Sequence, residues 1–340
     1  MKITDCHIHM HTLDLERGEK CFEYLAKLGA DAVAIQCLAS YPEYSNLENI
    51  YGLMLKDRTK ALRVYTYGSL HEFDDMCEFS YEHQLEGLVA MGCDGMKFIH
   101  MKPNMRKATG KGINHPSYDG VLSLMEDMGI PALVHSKDPA FFWHKDQMLP
   151  LHVEKGWCYE DGGFESWETL HSETLEMLDK HPNLKVILAH FFFLSDRLDE
   201  AGRILDKYPN VYLDITPGTE MYENFGKEAE KTREFFIKYQ DRIIFGTDAD
   251  DVTFEENAAD LFRMIQGVLN NEGEAYTDHC YVDLNVKGIN LPEEVVAKIM
   301  HGNFEKFMGA QPKPVDGELV EKAISYMHSK GEDAPLISRG

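Results

Sequence analysis

MLDKHPNLKVILAHFFFLSDRLDEAGRILDKYPNVYLDITPG, residues 177–218, carries the same phrase twice. A helical stretch ends at a turn containing Pro and Asn, and a short run rich in Val, Ile and Leu follows. Such a run suits a strand buried on both faces, and the intervening helix is the crossover that parallel neighbours need. Working outward, the phrase recurs in LVAMGCDGMKFIH (88–100), SLMEDMGIPALVHSK (123–137) and IKYQDRIIFGTD (237–248). Upstream, ITDCHIHM (3–10), DAVAIQCLA (31–39) and LRVYTYGSL (62–70) bring the expected strands to eight.

Eight strands alternating with helices predict a (β/α)8 TIM-like barrel, whose usual size is about 250 residues and upward. An open doubly wound nucleotide-binding sheet would carry a G-x-G-x-x-G turn after its first strand, and none is present here. The barrel is expected over residues 1–310, followed at 311–340 by a helix and a polar tail packing on it. Segments 101–118 and 138–166 lack periodicity and carry Pro, Gly and aromatic residues. They read as loops after the fourth and fifth strands, on the face where such barrels build active sites. PEEVVAKIMHGNFEKFMG (292–309) and GELVEKAISYMHSK (317–330) read as closing helices, and EDAPLISRG (332–340) as the tail.

Asp plus Glu outnumber Lys plus Arg by 58 to 34, for a formal net charge of −24. That balance repels phosphate backbones and anionic lipid surfaces, so neither nucleic acid nor a membrane is an expected partner, although an acidic shell can enclose a locally basic pocket. The seven cysteines, at 6, 21, 37, 77, 93, 158 and 280, form no C-x-x-C pair and leave one over. An odd, scattered set suits a reducing cytoplasm better than a disulfide framework. The N-terminus enters a strand pattern at once, without a signal sequence, and a cytoplasmic location is the expectation.

Chemistry gathers at the strand ends. His7 and His9 sit two apart in the first strand and share a side of it. His135, His190 and Asp248 each close a later apolar run at its C-terminal end, the barrel mouth. One such histidine is commonly structural, but the convergence of several imidazoles and a carboxylate invites a first-row divalent metal. Asp214, ending NVYLDI (210–215), could orient a ligand histidine or be a buried paired acid. Trp143, Trp157 and Trp167 lie in or beside the loop after the fifth strand, where pocket wall and packing are both open roles.

With these elements on the page, the chain resembles the amidohydrolase superfamily, in the branch that includes aminocarboxymuconate-semialdehyde decarboxylase and related metal-dependent hydrolases. The carriers are the His-x-His of DCHIHMH (5–11), His135 of ALVHSKD, His190 of VILAHFF, Asp248 of FGTDAD and the late HGNFEKFMG (301–309), which together span nearly the whole chain. The resemblance implies His7, His9, His135 and Asp248 as ligands of one divalent ion, zinc first, with Mn, Fe or Co also accepted by such donors. It implies His190 beside them, polarising substrate or activating water. Lys97 falls where binuclear members carry a carboxylated lysine. In this branch it is expected bare, with its ammonium meeting a substrate carboxylate, as Lys102, Arg106 or Lys107 could equally do. A structural role for Lys97, its stem packed on the barrel and its amine on a carboxylate, carries equal weight.

The function expected on this reading is hydrolysis of a lactone, amide or related carbonyl in a small, carboxylated substrate. Asp248 would receive the proton and His190 would steady the developing charge. The alternative within the family is non-oxidative decarboxylation of an unsaturated or aromatic acid, and a hydratase would use the same activated water. Outside it stand a phosphoesterase of the type that begins with closely spaced histidines, and a barrel that binds without catalysis. The extra C-terminal helix and the aromatic loop are compatible with a homodimer.

Overall fold

The computed structural model describes residues 2–39, 45–72, 78–276 and 286–331. Parallel strands β1 (Ile3–His9), β2 (Ala30–Gln36), β3 (Arg63–Gly68), β4 (Gly95–Phe98), β5 (Ala132–Val134), β6 (Val186–Leu188), β7 (Val211–Asp214) and β8 (Ile243–Ile244) pair in sequence order. A ninth, β9 (Ala249–Asp250), pairs with β1 on the other side. The expected eighth strand is thus divided in two. Between its halves the chain still tracks β1, since Cys6 N–H donates to Phe245 O (3.0 Å) and Asp248 N–H to His7 O (2.8 Å). These bonds close the barrel, and the break between them is where Asp248 adopts a left-handed φ of 63°.

The alternation along each strand divides the core. Val33, Ile35, Val64, Met96, Phe98 and Val134 face the surrounding helices. Ala32, Ala34, Tyr65, Tyr67, Leu133, Ile187 and Ile244 form a second cluster filling the barrel interior. Phe304 and Phe307 join it, packing their rings on Tyr65 and Tyr212. The barrel is thus a packed plug with chemistry confined to its mouth.

Helices α1 (Leu15–Lys27), α2 (Glu48–Arg58) and α3 (Tyr81–Met91) link the first four strands. Contrary to the loop expected at 101–118, that segment contains α4 (Pro103–Thr109) and the start of α5 (Pro116–Met128). Both begin with Pro, whose fixed φ suits a helical first turn. The expected loop at 138–166 is mostly irregular, with two short 3-10 turns and a five-residue helix, α6 (Pro150–Glu154). Then come α7 (Trp167–Lys180), α8 (Leu198–Lys207), α9 (Met221–Lys227), α10 (Ala229–Lys238) and α11 (Phe254–Asn270). An antiparallel pair not foreseen from the sequence, β10 (Glu272–Tyr276) with β11 (Val286–Ile289), follows α11. The closing segment is α12 (Glu293–Ala297), a π turn over Lys298–Gly302 and α13 (Asn303–Met308). Helix α14 (Gly317–Ser329) packs on α2 and α3, and the tail expected at 332–340 lies outside the described residues. No described helix is long and apolar enough to cross a membrane.

Asn303 ties the closing helices to the barrel. Its buried amide donates to Gln240 O and Ile243 O, both at 2.7 Å, and so anchors the approach to β8. Removing it strands the buried Ile243 carbonyl, at a cost of about 1–3 kcal/mol, and the half-buried Gln240 carbonyl with it. Asn303→Ala should therefore lower the unfolding free energy by roughly 3 kcal/mol, read from the denaturation midpoint, and a neutral effect would contradict this role.

Candidate metal centre

His7 and His9 are each held by the ring nitrogen that faces away from the barrel mouth. His7 Nδ1 lies 2.9 Å from Asp214 Oδ2, and His9 Nδ1 lies 2.8 Å from Gln36 O. A carboxylate and a carbonyl only accept, so both Nδ1 atoms carry the proton and both Nε2 lone pairs are exposed to a cation. Burial, reinforced at His7 by the Lys97 ammonium, keeps the two imidazoles in the neutral form that ligates metal.

Both Nε2 atoms lie close to Asp248. Its Oδ1 is 3.4 Å from His7 Nε2 and 3.2 Å from His9 Nε2, yet it is sealed from solvent and makes no hydrogen bond. A buried carboxylate oxygen without a partner is costly, and a cation removes the cost. The spacing fits as well, because donors sharing a tetrahedral ion at about 2.0–2.2 Å stand about 3.3–3.6 Å apart. His190 completes the convergence: one ligand atom each from His7, His190 and Asp248 lie within 4.8 Å of one another.

The remaining residues singled out from the sequence take distinct places. His135 sits against His190, ring centroids 4.9 Å apart, and its Nε2 is 2.9 Å from Asp138 Oδ1. The donor atom of His190 falls among those of His7 and Asp248. Lys97 is fully buried and donates from Nζ to His7 Nε2 at 2.9 Å, the lone pair a cation would take. Burial lowers its pKa to about 8, with Asp248 and Asp214 pulling the other way. Of the loop cations, Lys102 lines the cleft. Arg106 is committed to Glu173 through two bonds of 3.0 and 2.9 Å, and Lys107 to Gly162 O. Trp157 walls the cleft, Trp143 bonds Glu165 O, and Trp167 is buried at the start of α7.

A ring of supporting groups holds this arrangement. Asp214 Oδ1 accepts from His190 N (2.7 Å) and Thr216 N (3.2 Å) while Oδ2 holds His7, so one carboxylate orients two imidazoles. Asp5, which the sequence reading passed over, accepts from His7 N, Thr247 N and Thr247 Oγ1 and so ties the first strand to the residue before Asp248. Burial pushes its carboxyl up to about 7. Its signal was its place two residues before His7 in a strand of period two. Gly246 is required by crowding, since a Cβ there would overlap the Thr216 hydroxyl and come within 3.0 Å of His7 Cβ.

His190 is delivered by an unusual turn. His190, Phe191, Phe192 and Phe193 all have left-handed φ, between 51° and 56°. Such a conformation costs about 1–2 kcal/mol per residue. Lys137, fully buried, donates to Phe192 O at 2.8 Å with its ammonium 3.2 Å from the Phe192 ring centre, clamping the turn. The mouth opens into a narrow cleft of about 70 Å³ bordered by Asp248, His190, His135, Lys102, Phe142 and Trp157.

Imidazoles and a carboxylate gathered at the C-terminal ends of the strands of a (β/α)8 barrel define a class of metal-dependent enzymes. Residues 84–309, more than half of the chain, match the family described as Amidohydrolase, and the chain belongs to that family, whose members depend on metal. Among curated proteins, none matches the sequence. Solved structures share the fold at low identity. The 2,6-dihydroxybenzoate decarboxylase from Rhizobium is 13% identical with a TM-score of 0.54, over 91% of this chain and 98% of that one. The 4-oxalomesaconate hydratase from Rhodopseudomonas palustris is 12% identical with a TM-score of 0.51, over 97% and 100%. The D-hydantoinase from Thermus sp. is 14% identical with a TM-score of 0.53, over 92% and 72%.

Because Asp214 fixes the tautomer of His7 and the backbone of His190, Asp214→Ala should weaken metal binding by about 10–100-fold. Titration of metal-free protein with Zn²⁺ checks this, and an unchanged affinity would remove Asp214 from the centre.

Proposed function

We propose that this chain is a metal-dependent hydrolase acting on a lactone, amide or related carbonyl of a small carboxylated substrate, with zinc as the preferred ion. The observation that carries the reading is the buried, unpartnered Oδ1 of Asp248 facing two neutral imidazole nitrogens at the cleft mouth. His7, His9 and Asp248 are the residues that would hold the ion, with His190 and His135 beside them. Once bound, the ion supplies Lewis acidity and a water of lowered pKa.

The side chains do the rest. Asp248 takes the proton of the attacking water and returns it to the leaving oxygen or nitrogen as its bond to the carbonyl carbon breaks. His190, on the cleft wall, steadies the charge that develops on the carbonyl oxygen. Lys102 faces the same space and suits a substrate carboxylate. Phe142, Trp157 and Phe193 exclude water around the reacting bond. A second reading rests on those same rings. Aromatic walls with one cation also suit a planar unsaturated or aromatic acid, which would lose CO₂ while the electron pair left on carbon takes a proton. An odd, scattered set of cysteines supports a cytoplasmic site for the reaction.

Turnover of a panel of lactones, cyclic amides and unsaturated acids in heavy-oxygen water separates the two. Hydrolysis places the heavy oxygen in the organic product and releases no CO₂, whereas decarboxylation releases CO₂ and leaves an organic product without the label. Asp248→Ala should cut turnover by about 10²–10⁴-fold in either case; full activity in that variant would overturn the assignment.

A further inference from the structure

A second cavity of about 610 Å³ opens beside the metal cleft and shares Phe193 and Thr219 with it. The cleft itself leaves only about 70 Å³, room for a reacting group and little more. A substrate larger than the cleft needs further space, and the outer chamber offers more of it than the cavity of about 240 Å³ on the Asp248 side. Phe141, Leu149 and Phe193 give that chamber apolar walls.

The charges around it are nearly all spoken for. Lys227 pairs with Glu223 at 3.0 Å, while Arg197 pairs with Asp196 at 3.8 Å and lies over the Trp167 ring. Glu220 is different. Its Oε2 accepts from the neighbouring Thr219 hydroxyl at 3.2 Å, and among the described residues no cation lies within ion-pair distance of it. Burial pushes its carboxyl up to about 7, and Asp196 and Asp138 act in the same direction. A half-buried carboxyl with no cation, next to the passage into a catalytic cleft, is a group whose partner arrives from outside.

We propose that this chamber is the subsite for the distal part of the substrate, and that Glu220 selects a far end carrying an amine or similar cationic N–H donor. An apolar body would join that end to the acid or carbonyl end entering the cleft. The inference rests on the reading above that the cleft receives a carboxylate or carbonyl. A charge-assisted hydrogen bond made in such a setting is worth about tenfold or more in affinity.

The test uses zinc-loaded full-length protein and a graded series of ω-amino alkanoates, each paired with the plain alkanoate of the same length. Binding is followed calorimetrically and by tryptophan fluorescence, since Trp157 borders the cleft. At the best length the amino compound should bind about tenfold or more tightly than its plain partner. Glu220→Gln should bring the two to equality without changing metal content or the affinity for plain alkanoates. Equal binding of the pair by the native protein, or a preference that survives Glu220→Gln, would overturn the proposal while leaving the carboxylate reading intact. If neither compound binds, the carboxylate reading fails. Simple alkylamines then decide: saturable binding lost in Glu220→Gln upholds the subsite, and no binding overturns it.

Discussion

The structure turns on one oxygen, the buried Oδ1 of Asp248. An oxygen sealed from water beside two imidazole nitrogens and without a hydrogen bond is unfavourable in a protein by itself, and the surrounding residues work to keep it there. The left-handed backbone at Asp248 breaks the eighth strand in two, Gly246 lets that strand pass close to His7, and Asp5 pins Thr247 beside the first strand. Each is a local cost or a dedicated contact that a purely structural barrel would not need. Strain gathered in one place and supported by its neighbours is the pattern of a functional site.

The same economy explains the turn that carries His190. Four successive left-handed residues would not persist on the preferences of Phe, whose bulk disfavours that region. They persist because the Phe191 and Phe192 rings are fully buried, because Asp214 takes the His190 amide, and because Lys137 takes the Phe192 carbonyl. The buried amine of Lys137 has no carboxylate within ion-pair distance among the described residues, and burial holds its pKa well below the usual lysine range. Its work is to fix a backbone oxygen in the turn that carries His190.

Much of this was legible in the sequence. Helix, turn and apolar run repeat plainly enough to define the barrel, because strands buried on both faces must be apolar and their crossovers must be helices. Polar residues closing those runs stood out for the same reason, which is how His7, His9, His135, His190 and Asp248 were found. What stayed hidden depends on conformation rather than composition. The partners of His190 and His135 follow from the left-handed turn and from Asp138, whose carboxylate is kept ionised despite burial by the Lys102 charge and by bonds from His135 and Tyr159. No local pattern in AHFFF announces such a turn. The β10–β11 pair was missed because EGEAY lacks an apolar run, and the helix at Pro103–Thr109 because seven residues are too few to show a period.

The most direct test is an anomalous-difference map from crystals of the zinc-loaded protein. The account predicts one peak at the barrel mouth within about 2.0–2.2 Å of His7 Nε2, His9 Nε2 and an Asp248 carboxylate oxygen. An ion bound elsewhere, or no ion at a saturating concentration, would contradict it.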